Sequence, residues 1–162
     1  MPENITVREV KKEDNFRLAG LIREVFDEHN APRQGTVYSD PATDNLSDLF
    51  NRDDSLLLVA EVEGQICGCC GIYPTEGLDN DTAELVKYYL HKDFRGMGIG
   101  RTLMEKCIEA AKLMGYQKLY IESMPEFSNA VRIYEKQGFR NIGHPLGNSG
   151  HTSCSIWMIR DL

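Results

Sequence analysis

The sequence predicts an α/β (α+β) fold with one mixed sheet of about seven strands and helices on both faces. In the second half, strand-like runs alternate with amphipathic helices, and such crossovers imply parallel pairing. A tight turn in the middle implies antiparallel pairing as well. The length of 162 residues, with 41% hydrophobic and 27% charged residues, suits a single globular domain spanning residues 1–162.

The first third of the chain contains one strand and one long helix. Residues 5–10 alternate between apolar and polar side chains, as strands do. Asp14 is predicted to cap a helix that continues to about Glu28, because apolar residues recur there at helical spacing. Residues 30–54 are polar, and a short helix is predicted within them at residues 46–50.

The remaining elements follow in close succession. Leu56–Val62 and Gln65–Tyr73 are predicted strands joined at Glu63-Gly64, a two-residue connection that favours an antiparallel hairpin. The later elements are a strand at 83–91, a helix at 99–114, a strand at 118–124, a helix at 128–137 and two strands at about 139–142 and 152–159.

Charge and hydropathy exclude several partners. The net charge of -7 argues against nucleic acid, which requires a basic surface. The first ten residues have neither a basic start nor an apolar stretch, and no run approaches the roughly 20 apolar residues of a membrane span. We therefore expect a cytoplasmic protein that contacts no membrane.

The cysteines favour packing over chemistry. There are five, an odd number that fits reduced thiols better than a disulfide framework. Cys67 and Cys70 have the spacing of a redox pair or of half a zinc site, but they lie in an apolar strand-like run without a second pair. We interpret them as core residues and predict no metal.

The strongest local signal is a loop between a predicted strand and a predicted helix. Glycines permit unusual backbone angles and close approach, and the first amides of a helix attract anions. The loop is therefore predicted to hold a phosphate or pyrophosphate. Its residues are Arg95, Gly96, Met97, Gly98, Ile99, Gly100 and Arg101.

Other phosphate ligands fit this loop less well. A dinucleotide-binding turn needs a third glycine where Arg101 stands, although Glu122 lies at a suitable distance to meet a ribose. The phosphate loop of nucleotide hydrolases needs a Lys-Ser or Lys-Thr pair, which does not follow here. A glycine-rich turn without a ligand is the remaining alternative.

Two motifs resemble the GNAT superfamily of acyl-CoA N-acyltransferases. Residues 83–100 (AELVKYYLHKDFRGMGIG) contain the Q/R-x-x-G-x-G/A signature, and residues 130–139 (AVRIYEKQGF) are similar to a later helix of that family. The resemblance implies a V-splayed sheet with acetyl-CoA in the opening, its arm pairing with backbone near Tyr89 and Leu90. Backbone amides as far as Thr102 would then hold the pyrophosphate.

Three residues are candidates for catalysis of acetyl transfer to an amine. Glu84 is the first candidate for the general base, with an ordinary solvated glutamate as the alternative, and Glu122 is the second, with a salt bridge or a charge at the sheet edge as the alternative. The resemblance implies that Tyr134 protonates the CoA thiolate; a core tyrosine is its alternative. Many members carry an asparagine where Phe127 stands here, and Asn129 is the nearest substitute.

The acceptor is predicted only as a class, a small-molecule or peptide amine, and the protein as a monomer or homodimer. The pocket for the acceptor is expected to be formed by residues 29–54 and 143–154. A module that binds acyl-CoA without catalysis is the alternative function, but such a module has no use for a base and an acid. The residues expected to line the pocket are His29, Tyr38, His144 and His151.

Overall fold

A computed structural model describes residues 4–162, which form one sheet covered by helices. The strands are β1 (Ile5–Glu9), β2 (Leu56–Val62), β3 (Gln65–Tyr73), β4 (Thr82–Leu90), β5 (Lys118–Ser123), β6 (Arg140–Asn141) and β7 (Ile156–Asp161). The helices are α1 (Asn15–Glu28), α2 (Leu46–Leu49), α3 (Ile99–Leu113) and α4 (Ser128–Lys136). The strand order in the sheet is β1-β2-β3-β4-β5-β7-β6.

The sheet is mixed, as predicted. β4 and β5 are parallel, whereas every other neighbouring pair in the described chain is antiparallel. β2 and β3 form the predicted hairpin, in which Glu63 and Gly64 have φ values of 51° and 80°. Two successive positive φ values match the twist of the paired strands, so the turn sets their register.

Helices pack on both faces of the sheet, and strand alternation assigns each buried residue to one face. Leu58 and Ala60 of β2 face α3, whose apolar stripe includes Leu103 and Cys107. Their neighbours in β2 face the opposite layer, which contains Ile22 and Phe26 of α1 together with residues of α2. The sheet therefore separates two apolar cores.

The parallel strands β4 and β5 separate soon after they pair. Their contact covers only Thr82–Glu84 of β4 and Lys118–Tyr120 of β5, in register. Beyond this point β4 continues to Leu90 beside β3, and β5 continues to Ser123 beside β7. The sheet opens between them, which confirms the V-splayed sheet.

Two details of the sequence-based prediction differ from the structure. Asp14 is the N-cap residue of α1, as predicted, but its side chain makes no capping hydrogen bond. The buried carboxylate accepts the Lys11 amide at 2.7 Å and the Arg8 guanidinium at 2.8 and 3.0 Å instead. The last strand occupies 156–161 rather than 152–159, because residues before it form a turn in which the Ser153 amide donates to the Gly35 carbonyl.

All five cysteines are free, and four of them are buried. The Cys67 thiol donates to the Ala60 carbonyl, and the Cys107 thiol donates to the Cys70 carbonyl. These contacts confirm that Cys67 and Cys70 are core residues of the sheet.

Candidate active site

A cleft of about 450 Å³ lies in the opening between β4 and β5. Residues of β4 line it from Glu84 to Leu90, and β5, α1, α4 and the glycine loop supply the other walls. Two parts of its lining differ in character. The loop side is formed by Tyr89, Leu90 and the loop of residues 95–102, of which Arg95, Gly96, Gly98, Gly100 and Arg101 line the cleft. The charged side comprises Glu84, Lys87, Glu122 and His151.

The glycines of the loop side have two separate structural roles. Gly96 and Gly98 have φ values of 79° and 82°, in the left-handed region that most side chains avoid. Gly100 has an ordinary φ, but a Cβ there would lie 2.6 Å from the Tyr88 hydroxyl. The loop therefore needs glycine twice for its backbone angles and once for close packing.

Gly98 is followed directly by α3, which has no side-chain cap at its N-terminus. The Thr102 amide makes the first intrahelical bond, to the Gly98 carbonyl at 3.1 Å. The amides of Ile99, Gly100 and Arg101 precede that first bond, and the helix dipole adds partial positive charge there. This geometry suits an anionic ligand bound by backbone groups.

Both arginines of the loop have partners within the protein. Arg95 pairs with Glu28, at 3.0 Å between Nη2 and Oε1, and it also donates to the Leu90 carbonyl at 2.9 Å. Arg101 pairs with Glu105 at 2.8 Å, one helical turn further along. A phosphate contact by either arginine stays a prediction.

β4 has an open edge beside the loop. Past Glu84 it has no strand partner on the β5 side within residues 4–162, so Tyr89 and Leu90 adjoin the cleft. An extended ligand arm can pair with such an edge as an added strand does. The Leu90 carbonyl, however, already accepts from Arg95.

Glu84 is a buried carboxyl on the floor of the cleft, with 4% of its surface exposed. Its Oε1 accepts a hydrogen bond from the Thr75 hydroxyl at 2.6 Å. Burial is the main cause that raises the pKa of Glu84 to about 7, with a smaller contribution from Glu122. A carboxyl with this pKa can accept a proton at neutral pH.

Glu122 reaches the same cleft from β5, but both of its carboxylate oxygens are hydrogen-bonded. Oε2 accepts from the Tyr120 hydroxyl at 2.7 Å, and Oε1 accepts from the Ser149 hydroxyl. Neither bond is an ion pair, the alternative raised by the sequence. The partners hold Glu122 in place beside Glu84, and no lysine, arginine or histidine within residues 4–162 forms an ion pair with it.

Tyr134 lies on α4 and faces the cleft. Its ring packs against Tyr88 and Phe139, with centroids 5.9 and 6.1 Å away. Its hydroxyl makes no hydrogen bond with any residue of the described chain. Burial raises the pKa of Tyr134 well above its usual value, so the phenol stays protonated at neutral pH and is available as a donor.

Most of the predicted site residues converge on this cleft. Asn129 is exposed at the rim of the cleft. Phe127, which also lines the cleft, occupies the position where many members of the GNAT superfamily have an asparagine. Three predicted cofactor residues do not line the cleft. Met97 is 42% exposed, Ile99 is buried in the core beneath the loop, and the Thr102 hydroxyl donates to the Gly98 carbonyl.

Of the four predicted pocket residues, His29 and His151 line the cleft, whereas Tyr38 and His144 do not. His29 Nδ1 lies 2.9 Å from the Val25 carbonyl oxygen. His151 Nε2 lies 3.1 Å from Oδ2 of Asp40, which places the 143–154 segment against the 30–54 segment.

Lys87 is buried on the charged side and was not predicted from the sequence. Its φ is 56°, at a bulge where three steps along β4 (86–89) lie opposite two steps along β3 (69–71). This irregularity leaves no sequence signal, since lysine is not a residue typical of positive φ.

Within residues 4–162 no cluster of histidine, cysteine, aspartate or glutamate could hold a metal ion. No helix among the same residues is long and apolar enough to cross a membrane.

The chain belongs to the acetyltransferase (GNAT) family, whose model matches residues 22–139. The uncharacterized N-acetyltransferase YjgM of Escherichia coli K12 is 32% identical over 162 residues, covering 99% of this chain and 97% of the relative. The protein is thus a member of an acetyltransferase family, as the two sequence motifs indicated.

Solved structures share the fold at low identity. A GNAT acetyltransferase from Staphylococcus aureus Mu50 has a TM-score of 0.86 at 22% identity, covering 98% of this chain and 99% of the other. YncA from Salmonella typhimurium, solved with its cofactor acetyl-CoA, has a TM-score of 0.76 at 18% identity and covers 99% of this chain and 95% of the other. These likenesses confirm the predicted fold.

Proposed function

We propose that this protein transfers the acetyl group of acetyl-CoA to a primary amine by direct attack. The observation that carries the proposal is one cleft that combines the anion-binding loop with a buried carboxyl of raised pKa and an unbonded tyrosine hydroxyl. The family membership supports acetyl transfer, and the name of the 32% identical relative supports nitrogen as the acceptor atom.

The residues on the loop side fit coenzyme A. The amides at the start of α3 suit its pyrophosphate, and the open edge of β4 suits the extended pantetheine arm. Gly100 at the start of α3 packs closely against Tyr88 of β4. This contact fixes the orientation of the helix start relative to the open edge of the strand. The acetyl thioester supplies the activated acyl group.

The proton transfers are assigned to two residues. Glu84 takes a proton from the bound ammonium, so that a neutral amine forms the new C–N bond. The nitrogen is cationic after the attack and releases its second proton to solvent, the C–S bond breaks as the tetrahedral intermediate collapses, and Tyr134 donates a proton to the leaving thiolate. Tyr134 regains its proton from solvent, and Glu84 releases its proton to solvent before the next turnover. Glu122 adds negative charge that favours a cationic amine, and its hydrogen bonds assign it to positioning rather than proton transfer.

A direct test incubates the protein with acetyl-CoA and a panel of small amines and peptides, and measures release of the CoA thiol together with the acetylated product. Calorimetry with CoA runs in parallel. We expect CoA binding and thiol release that depends on an amine. CoA binding without release for any amine would favour a non-catalytic acyl-CoA-binding module, and absence of CoA binding would overturn the proposal entirely.

A further inference from the structure

Lys87 is a buried lysine whose ammonium group the proposed chemistry does not use. The residue is 7% exposed and lines the cleft on the charged side. Its backbone serves the fold, since the Lys87 carbonyl accepts from the Cys69 thiol at 3.1 Å. Its side chain makes no hydrogen bond and no ion pair with any residue between 4 and 162. Nothing in the described structure therefore compensates this charge directly.

The two carboxylates that act most strongly on the pKa of Lys87 already accept hydrogen bonds from other groups. Asp40 accepts hydrogen bonds from His151 and from the Ala42 amide, and Glu84 accepts from Thr75. No carboxylate of the described chain lies within ion-pair distance of the Lys87 ammonium. Burial lowers the pKa of Lys87, which is the expected result for a desolvated cation without a close partner.

An uncompensated buried cation is unfavourable for the fold alone. A residue that only packed in this cleft would not need an ammonium group, and the strained φ of 56° adds to the cost of keeping lysine there. The group gains a partner if a bound molecule brings an anion. A bound anionic ligand therefore explains the buried lysine and its strained backbone, which the fold alone does not explain.

The charged side thus offers two opposite functional groups to one small molecule. Glu84 and Glu122 present negative charge near the point where β4 and β5 separate. Lys87 lies three residues further along β4, roughly 10 Å or less along the strand, and its long side chain can shorten that distance. A short zwitterion can meet both groups at once.

We propose that the acceptor is an amino carboxylate, a small molecule whose amine faces Glu84 and whose carboxylate pairs with Lys87. This inference rests on the proposed acetyl transfer to an amine. Lys87 is then a specificity-determining residue: it binds the unreactive end of the acceptor and takes no proton during the reaction. The product is an N-acetylated carboxylate, which keeps the group that Lys87 recognises.

The first experiment compares free amino acids with their carboxamides as acceptors, one pair at a time. The amine of a carboxamide is less basic, so amine reactivity alone would favour the carboxamide at neutral pH. We expect the opposite, a kcat/KM about 30-fold or more higher for the carboxylate, the size expected for a desolvated charge pair. Equal use of both members of each pair would overturn the inference.

The second experiment tests Lys87 itself with Lys87→Met, which removes the charge and keeps an unbranched side chain at the same backbone position. The variant should lose the carboxylate preference, so that the ratio of kcat/KM for a carboxylate to kcat/KM for its carboxamide falls to about one or below. Lys106→Met removes an exposed lysine of α3 outside the cleft and should change neither value. A loss that is equal for both acceptor types would assign Lys87 a structural role and overturn the inference.

Binding measurements separate this inference from the proposed function. Calorimetry in the presence of CoA should show N-acetyl amino acids binding to the original protein and at least about 30-fold more weakly to Lys87→Met. Transfer to amines without any carboxylate preference would contradict only the present inference. Failure to bind CoA, or thiol release by no amine, would contradict the proposed function, and lack of N-acetyl amino acid binding would still contradict the role of Lys87.

Discussion

The two sides of the cleft are built from different parts of the polypeptide. The loop side uses backbone groups of one contiguous stretch, from Tyr89 to Thr102. The charged side uses side chains that are far apart in the sequence, from Glu84 and Lys87 on β4 to His151 near the C-terminus. A short motif is enough to bind the part of a ligand whose chemistry does not vary. The shape and charge of an acceptor, in contrast, are recognised by residues that only folding brings together.

This difference predicts two separable phenotypes. Substitutions of catalytic side chains should change the rate of transfer and leave CoA affinity intact. Substitutions of loop glycines should change CoA affinity and leave the rate at saturating CoA nearly unchanged. A variant that changes both together would show that the two sides act as one unit.

The largest expected effect is on the rate of the Glu84→Gln variant. Loss of the general base should lower kcat about 10²- to 10⁴-fold with CoA affinity retained. In the original protein kcat should rise with pH through about 7, where Glu84 loses its proton, and the variant should lack this rise. Thr75→Val is the matched control, since it removes the hydrogen bond to Glu84 and keeps the carboxyl. Full activity of Glu84→Gln would show that another group is the general base.

The same variant should be more stable than the original protein at alkaline pH. The pKa of Glu84 is raised from 4.5 to about 7 in the folded state. The unfolded state therefore binds fewer protons between these values, and stability falls as pH rises through this window. Glu84→Gln should remove that loss, worth up to about 3 kcal/mol at pH 8 and nothing near pH 4. Denaturant unfolding across this range is the measurement, and a constant difference between the proteins would contradict it.

Tyr134→Phe should slow transfer by about 10²-fold through loss of the proton donor to sulfur. The ring contacts with Tyr88 and Phe139 remain, so stability and CoA affinity should stay close to those of the original protein. Stopped assays with acetyl-CoA beside a CoA titration measure both quantities. Tyr88→Phe alters a neighbouring hydroxyl and is the control; equal losses in the two variants would argue for packing rather than proton donation.

Gly98→Ala should have the smallest effect and act on the loop side. Alanine at φ 82° is disfavoured by roughly 1–2 kcal/mol, so the loop relaxes and CoA affinity should fall about tenfold with kcat at saturating CoA retained. Gly20→Ala lies in the exposed interior of α1 with no atom within 4 Å of the added Cβ. That control should gain about 0.5–1 kcal/mol of stability and bind CoA normally. Unchanged CoA affinity in Gly98→Ala would show that the loop does not bind the cofactor.

Much of the fold was predictable because its signals are local. The hairpin at Glu63-Gly64, the helix after the glycine loop and the strand that precedes it follow from hydrophobic period and turn chemistry. Asp14 is the N-cap residue of α1 as predicted, but its carboxylate does not cap the helix because a nearby guanidinium, Arg8, binds it. The final strand was placed too early because a turn contact with Gly35 holds the preceding residues, and such a contact has no local signal.

The candidate site divides in the same way. Gly96, Gly98 and Gly100 were identified from the sequence, but only the structure separates the two that need positive φ from the one that needs close packing. Glu84 was a candidate by position in a motif, and its raised pKa depends on burial that the motif does not encode. Lys87 had no signal at all.

By itself the sequence determined the order of strands and helices, the family and the position of the glycine loop, because each depends on neighbouring residues whose spacing can be read along the chain. Tertiary structure alone decided how far β4 and β5 separate, which carboxyl is buried, and that Lys87 lies without an ionic partner within the described chain. Burial and charge pairing depend on distances in space between segments remote in sequence, and no local pattern records those distances.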